Sequence, residues 1–134
     1  GEWVELTWPA GMLVKEIRLV GPPPNGGDWG GFGQPATYGD YYIEAGTLSF
    51  GYQGAGGGSP VSVGRVEPLD NGGTLITLAS PRVIDTLRFS VGTTSGRWWW
   101  DEVAALNEIE VIGQAAETWP LLEISEIFLP AAFR

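Results

Sequence analysis

The residues best suited to chemistry in this 134-residue chain are aromatic. The run Arg97-Trp98-Trp99-Trp100-Asp101-Glu102 sets three indoles between charged side chains. An exposed indole stacks on the C–H face of a sugar ring, while guanidinium and carboxylate groups bond its hydroxyls. On that reading Trp98, Trp99, Trp100, Arg97 and Asp101 hold a ligand. The plainer reading is that Trp98 and Trp100 cap one end of the core, with Trp99 alone on the other side, because Trp is mostly buried. Trp29, Phe32, Tyr38, Tyr41 and Tyr42 sit in or just after a Gly/Pro-rich stretch. Trp29 and Tyr41 would extend the same binding wall or line a protein interface. The alternative is that this group staples a long loop onto the sheet.

Bond-breaking chemistry has less to work with. The chain has no His and no Cys, so the commonest general base, the thiolate nucleophile and the usual transition-metal ligands are missing. Asp28, Asp40, Asp70 and Asp85 are acids in turn-like contexts. Glycoside hydrolysis needs a placed carboxylate pair, and none of these sits in a motif that defines one. The stretch "GDWGGFG" follows prolines and precedes no helix, which defeats a phosphate-cradling role. The expectation is a protein that is not an enzyme.

Those aromatics must be positioned by elements, and the composition limits which. Lys+Arg number 7 against 16 Asp+Glu, a net charge of -9 that repels nucleic-acid backbones and anionic membrane surfaces. Charged residues are only 17% of the chain, Gly 21 and Met 1. Low Met and absent Cys fit a hot or oxidising setting, or secretion. No apolar run approaches the roughly 18 residues of a membrane span. Gly1 is neither an initiator Met nor the start of a signal-peptide pattern, so a processed product or a piece of something longer is expected.

Helical periodicity is nearly absent, and short alternating apolar runs bounded by Gly, Pro, Asn and Asp recur instead. Residues 3–8 read as a strand with Val4, Leu6 and Trp8 on one face. Pro9-Ala10-Gly11 then turns the chain into a second strand, residues 13–20, with Ile17 and Leu19 inward. Residues 21–40, "GPPPNGGDWGGFGQPATYGD", read as an ordered surface loop. Strand character returns over residues 41–52, followed by "QGAGGGSP" as a hairpin tip. Residues 61–66 and 74–79 form strands joined by the turn "EPLDNGG". Residues 83–91 put Leu87, Phe89 and Val91 inward. Residues 107–112 put Ile109 and Val111 inward and Glu108 and Glu110 outward. After the linker "QAAETWP", the segment "LLEISEIFLPAAF" is apolar on both faces and needs cover on both. About eight short strands without helices predict an antiparallel β-sandwich or jelly roll, with residues 1–113 as its core and 114–134 as a linker plus a C-terminal apolar strand that completes its own sandwich or a neighbouring copy's.

The pieces "WVELTWP…LVKEIRLVG", "IDTLRFSV" and the closing "ALNEIEVIG" together resemble the galactose-binding-like β-sandwich. That is the fold of discoidin domains, coagulation-factor C-type domains and many carbohydrate-binding modules. The resemblance spans roughly residues 3–113. It implies glycan binding by loops at one end of the sandwich, with a structural calcium near the same end. Glu108 matches the family glutamate that helps hold calcium; a solvent-facing strand Glu is the plainer reading. Relatives carry roughly 30–40 further residues ahead of the Trp-led strand, including a first strand and calcium ligands, judged from typical domain size. Here the chain instead adds a strand at the other end.

Two functions follow from this. One is a non-catalytic, extracellular carbohydrate-binding or cell-surface module using the loop aromatics. The other is a structural subunit of an extracellular filament or surface layer, in which Leu121, Leu122, Ile124, Ile127 and Phe128 complete a neighbouring copy's sandwich. The expected partners are accordingly a glycan or further copies of the chain.

Overall fold

In the computed structural model the described residues are 1–22, 42–94, 96–98, 101–103, 105–115 and 127–129; within 96–98, 101–103 and 127–129 only the backbone is described. Among the described residues the regular elements are strands, apart from one 3-10 turn at Leu69–Asn71, and there is no α-helix. The strands are β1 (Trp3–Val20), β2 (Ile43–Tyr52), β3 (Ala55–Gly56), β4 (Val61–Val63), β5 (Thr74–Thr94), β6 (Gly96–Trp98), β7 (Asp101–Val103), β8 (Glu108–Ala115) and β9 (Ile127–Leu129). One antiparallel sheet has the order β3-β2-β5-β1-β8-β9, with β4 also paired to β2, and β6 and β7 form a separate ribbon. The all-β, antiparallel expectation therefore holds.

The boundaries differ in an informative way. Pro9-Ala10-Gly11 does not reverse the chain. β1 runs straight through, and Trp8, Pro9, Ala10 and Gly11 lie between the pairs Thr7↔Thr86 and Met12↔Ile84, where β5 supplies only Asp85. Further along, Leu78, Ala79, Ser80 and Pro81 of β5 lie between Arg82 and Thr77, where β1 supplies only Lys15. Two compensating bulges thus interrupt the central β1–β5 ladder. Proline fits there because a bulge leaves its residue unpaired and asks for no ladder donor. The strand expected over residues 61–66 is shorter, and it pairs with β2 rather than with the residues that follow it.

The bulges divide the sheet. Residues 3–7 of β1 and 86–94 of β5 align with β2, β3 and β4. Residues 12–20 of β1 align with β8 and, on the other side, with 74–84 of β5. Both parts feed a single core: Val4, Leu6, Leu48 and Phe89 from one, Val14, Ile17, Leu19, Ile109 and Val111 from the other. Each such side chain, fully buried, contributes about 1.5–3 kcal/mol, so one shared core is what couples the two parts.

The hairpin tip closes on Gln53-Gly54, both at positive φ (52° and 78°), the twist that suits a two-residue β-hairpin. The backbone N–H of Gln53 donates to Asp85 Oδ2 at 2.9 Å, tying the tip to the residue that faces the first bulge. Glu110, expected to face solvent, is 8% exposed. Arg18, its register partner on β1, donates to its Oε2 at 3.2 Å. Alternation places Glu110 correctly on the face opposite Ile109 and Val111, but Glu110 itself is buried there, while Arg18, Glu108 and Ile112 on that face are half-buried.

Candidate functional site

The described residues that flank the two aromatic segments lie together at one end of the sheet. Segment 23–41 departs after Pro22 and returns at Tyr42; segment 95–104 departs after Thr94 and returns at Ala105. Ile43 pairs with Thr94, which joins the return of the first to the departure of the second. Asn107 N donates to Val20 O at 2.8 Å, which brings the return of the second beside the departure of the first. Residues 66–68 stitch the remaining gap: Val66 N donates to Ile43 O (2.9 Å), Gly21 N donates to Glu67 O (2.8 Å), and Gly21 bridges Pro68 in parallel. Pro22 and Val66 are fully buried at this junction. The stitching segment is short because Pro68 and the 3-10 turn after it, capped by Gly72 at φ 84°, end it.

Side chains at this end form a polar cluster around an aromatic ring. Tyr42 is 5% exposed, and the Arg65 guanidinium carbon lies 4.0 Å from its ring centroid. Arg65 Nε is 3.9 Å from Glu44 Oε1 and 3.8 Å from Glu67 Oε1. At those distances and exposures the charge pairs add little stability, so what orients Arg65 is chiefly the ring beneath it. Glu67 is better anchored: its N–H donates to Thr74 Oγ1 (2.9 Å), and Asn71 Nδ2 donates to its Oε2 (3.2 Å). Thr74 Oγ1 in turn donates to Arg65 O at 2.7 Å. Thr94 Oγ1, at the root of the second segment, is buried with no hydrogen-bond partner among the described residues. The cluster offers a flat cation, two carboxylates and an amide, suited to bonding hydroxyl groups.

The residues singled out from sequence fare unequally. Arg97 and Trp98 lie on β6 and Asp101 on β7, with Trp98 opposite Asp101 and Arg97 opposite Glu102. β6 ends at Trp98 and β7 begins at Asp101. Glu108 sits on β8 opposite Val20, half-buried. Among the described residues no group of three or more Asp and Glu lies close enough to hold a metal ion. Ile127 and Phe128 lie on β9, at register positions opposite Val111 and Glu110 of the same chain. Trp29, Tyr41, Trp99, Trp100, Leu121, Leu122 and Ile124 lie outside the described residues.

Arg65, Glu44 and Glu67 were not signalled by the sequence. Arg65 and Glu67 flank Val66 at alternate positions, which marks them as outward-facing, but nothing local says that they meet Tyr42. Comparison with family models, with curated proteins and with solved structures gives no match for this chain.

Proposed function

We propose that the chain is a non-catalytic, extracellular carbohydrate-binding module of the galactose-binding-like kind, its two sheet portions packed as a sandwich. One observation carries this reading: both aromatic segments are rooted at one end, beside the Arg65–Tyr42–Glu44–Glu67 cluster. The indoles of Trp29, Trp98, Trp99 and Trp100 supply stacking faces, and Arg65, Arg97 and Asp101 supply polar contacts. A glycan panel tests it. The folded protein should bind at least one glycan, and Trp99→Ala should weaken binding by about tenfold, some 1.4 kcal/mol. A folded sample that binds nothing, or binding indifferent to Ala at Trp29, Trp98, Trp99 and Trp100 in turn, sinks the reading.

The C-terminal strand favours a second reading, a structural subunit assembled by strand complementation. Among the described residues β9 meets β8 through Ile127, Phe128 and Leu129, a seat small enough to exchange between copies. Removing residues 118–134 should then abolish assembly while the remaining sheet stays folded by circular dichroism; a shortened chain that still polymerises rules it out.

A further inference from the structure

Among the described residues the amino-terminal part of β1 is an open sheet edge. β8 pairs with β1 only from Met12 to Val20, and among the described residues nothing pairs with residues 3–7 on that side. The direction of the backbone groups there follows from the ladder. Val91 N donates to Glu2 O at 2.9 Å, and the register continues as Trp3↔Ser90 through Thr7↔Thr86. Hydrogen-bonded and non-bonded pairs alternate in an antiparallel ladder. Glu2, Val4 and Leu6 therefore turn their N–H and C=O groups toward β5, and Trp3, Glu5 and Thr7 turn theirs toward the open side.

Native sheets usually blunt such an edge with lysine, proline or a bulge. Residues 3–7 contain none of these; the bulge begins only at Trp8. The one charge on the edge, Glu5, is tied down: Arg88 Nη2 lies 2.7 Å and its Nε 2.9 Å from Glu5 Oε2. The same guanidinium lies 4.2 Å from the Trp3 ring centroid. Behind the edge, Val4 (2% exposed) and Leu6 (6%) belong to the core.

The edge is complementary to itself. A two-fold axis at Glu5 sets Trp3 of one copy opposite Thr7 of the other and Glu5 opposite Glu5. Every residue with outward backbone groups then meets another such residue. Three hydrogen-bonded pairs give about six hydrogen bonds. Val4 and Leu6 of both copies stay on the core-side face, so the sheet runs on across the junction. The two central glutamates repel, but each has its own Arg88 alongside.

We propose that residues 3–7 of β1 are a strand-addition site for a second copy of this chain, giving a two-fold dimer by antiparallel β1–β1 pairing. This is independent of the glycan reading and uses a different edge from the one β9 occupies. Each copy carries a net charge of -9, so the dimer should tighten as salt screens that repulsion.

Light scattering and backbone hydrogen exchange of the intact chain test it. The mass should rise from monomer toward dimer with concentration, more so at high salt. The amides of Trp3, Glu5 and Thr7 should gain protection in step. Thr7→Pro removes an outward donor without touching the β1–β5 ladder, and should weaken self-association at least about tenfold, whereas Thr7→Ala should leave it unchanged. A monomer at every concentration overturns the proposal. So does a dimer in which those three amides stay unprotected, or protection of the amides in a monomer, which would mean another part of the chain covers the edge. The exchange measurement needs no substitution, so it decides even if Thr7→Pro misfolds.

Discussion

Gly113→Ala should destabilise the protein by about 3 kcal/mol or more, at the upper end of overpacking effects. Gly113 is buried on β8, paired with Val14 at the point where Lys15 bulges from β1. A Cβ there would collide with the Leu13 carbonyl oxygen and lie 2.9 Å from both Leu13 C and Val14 Cα. These are backbone atoms held by ladders on both sides of β1, so no side-chain rotation relieves the overlap. The strands must part, and they part beside the core residues Val14 and Val111. Thermal unfolding followed by circular dichroism should show a midpoint lowered by about 10 °C or more. Gly64→Ala is the control: a Cβ there meets nothing within 4 Å, so its effect should stay within about 0.5 kcal/mol. An unchanged midpoint for Gly113→Ala would mean that β8 does not approach β1 this closely. The placement of Asn107 beside Val20, one of the joints of the candidate site, would fall with it.

Much of this arrangement is legible from local pattern. Val4 and Leu6, Ile17 and Leu19, Leu87 and Phe89, Ile109 and Val111 alternate with polar residues, and all eight are core. Alternation states which residues share a face, and that follows from the strand itself. It does not state what lies over the face. Glu110 illustrates the difference: its side is correctly assigned, yet it is buried beside Arg18. Proline and glycine are ambiguous for a related reason. Pro9-Ala10-Gly11 and Ser80-Pro81 mark irregular backbone, and irregular backbone serves a reversal or a bulge equally well. Only the partner strand decides, and each bulge faces a single residue of a strand distant in sequence, Asp85 or Lys15. The candidate site shows the same limit. The aromatic segments announce themselves by composition. Their common root depends on Ile43↔Thr94 and on the contact of Asn107 with Val20, pairings that no local run encodes.

The ring of Phe89 bears on both stability and the site. It is fully buried on β5, between its register partners Val4 on β1 and Leu48 on β2. Phe89→Ala should cost about 3–5 kcal/mol, set against a total of about 5–15 kcal/mol for a typical domain. The ring also explains Gly46. A Cβ on Gly46 would lie 2.5 Å from Phe89 Cε2, 2.6 Å from its Cζ and 2.7 Å from Ser90 O. Gly46→Ala should therefore be severe alone and milder in a Phe89→Leu background, where the ring is gone and only the backbone oxygen still objects. Urea unfolding of the two single variants and the double should give a favourable coupling of about 1–2 kcal/mol. Additive effects would show that the ring does not lie against Gly46. The consequence reaches past stability, because β2 shifts register on either side of Ala45, between Gly46 and the pair Ile43↔Thr94. Tyr42, with Arg65 across its ring, is the residue immediately before Ile43 of that pair. A chain path dictated by Phe89 at Gly46 thus sets where Tyr42 enters the site. Gly46→Ala, at temperatures where it remains folded, should weaken glycan binding although it touches no residue that would contact the sugar.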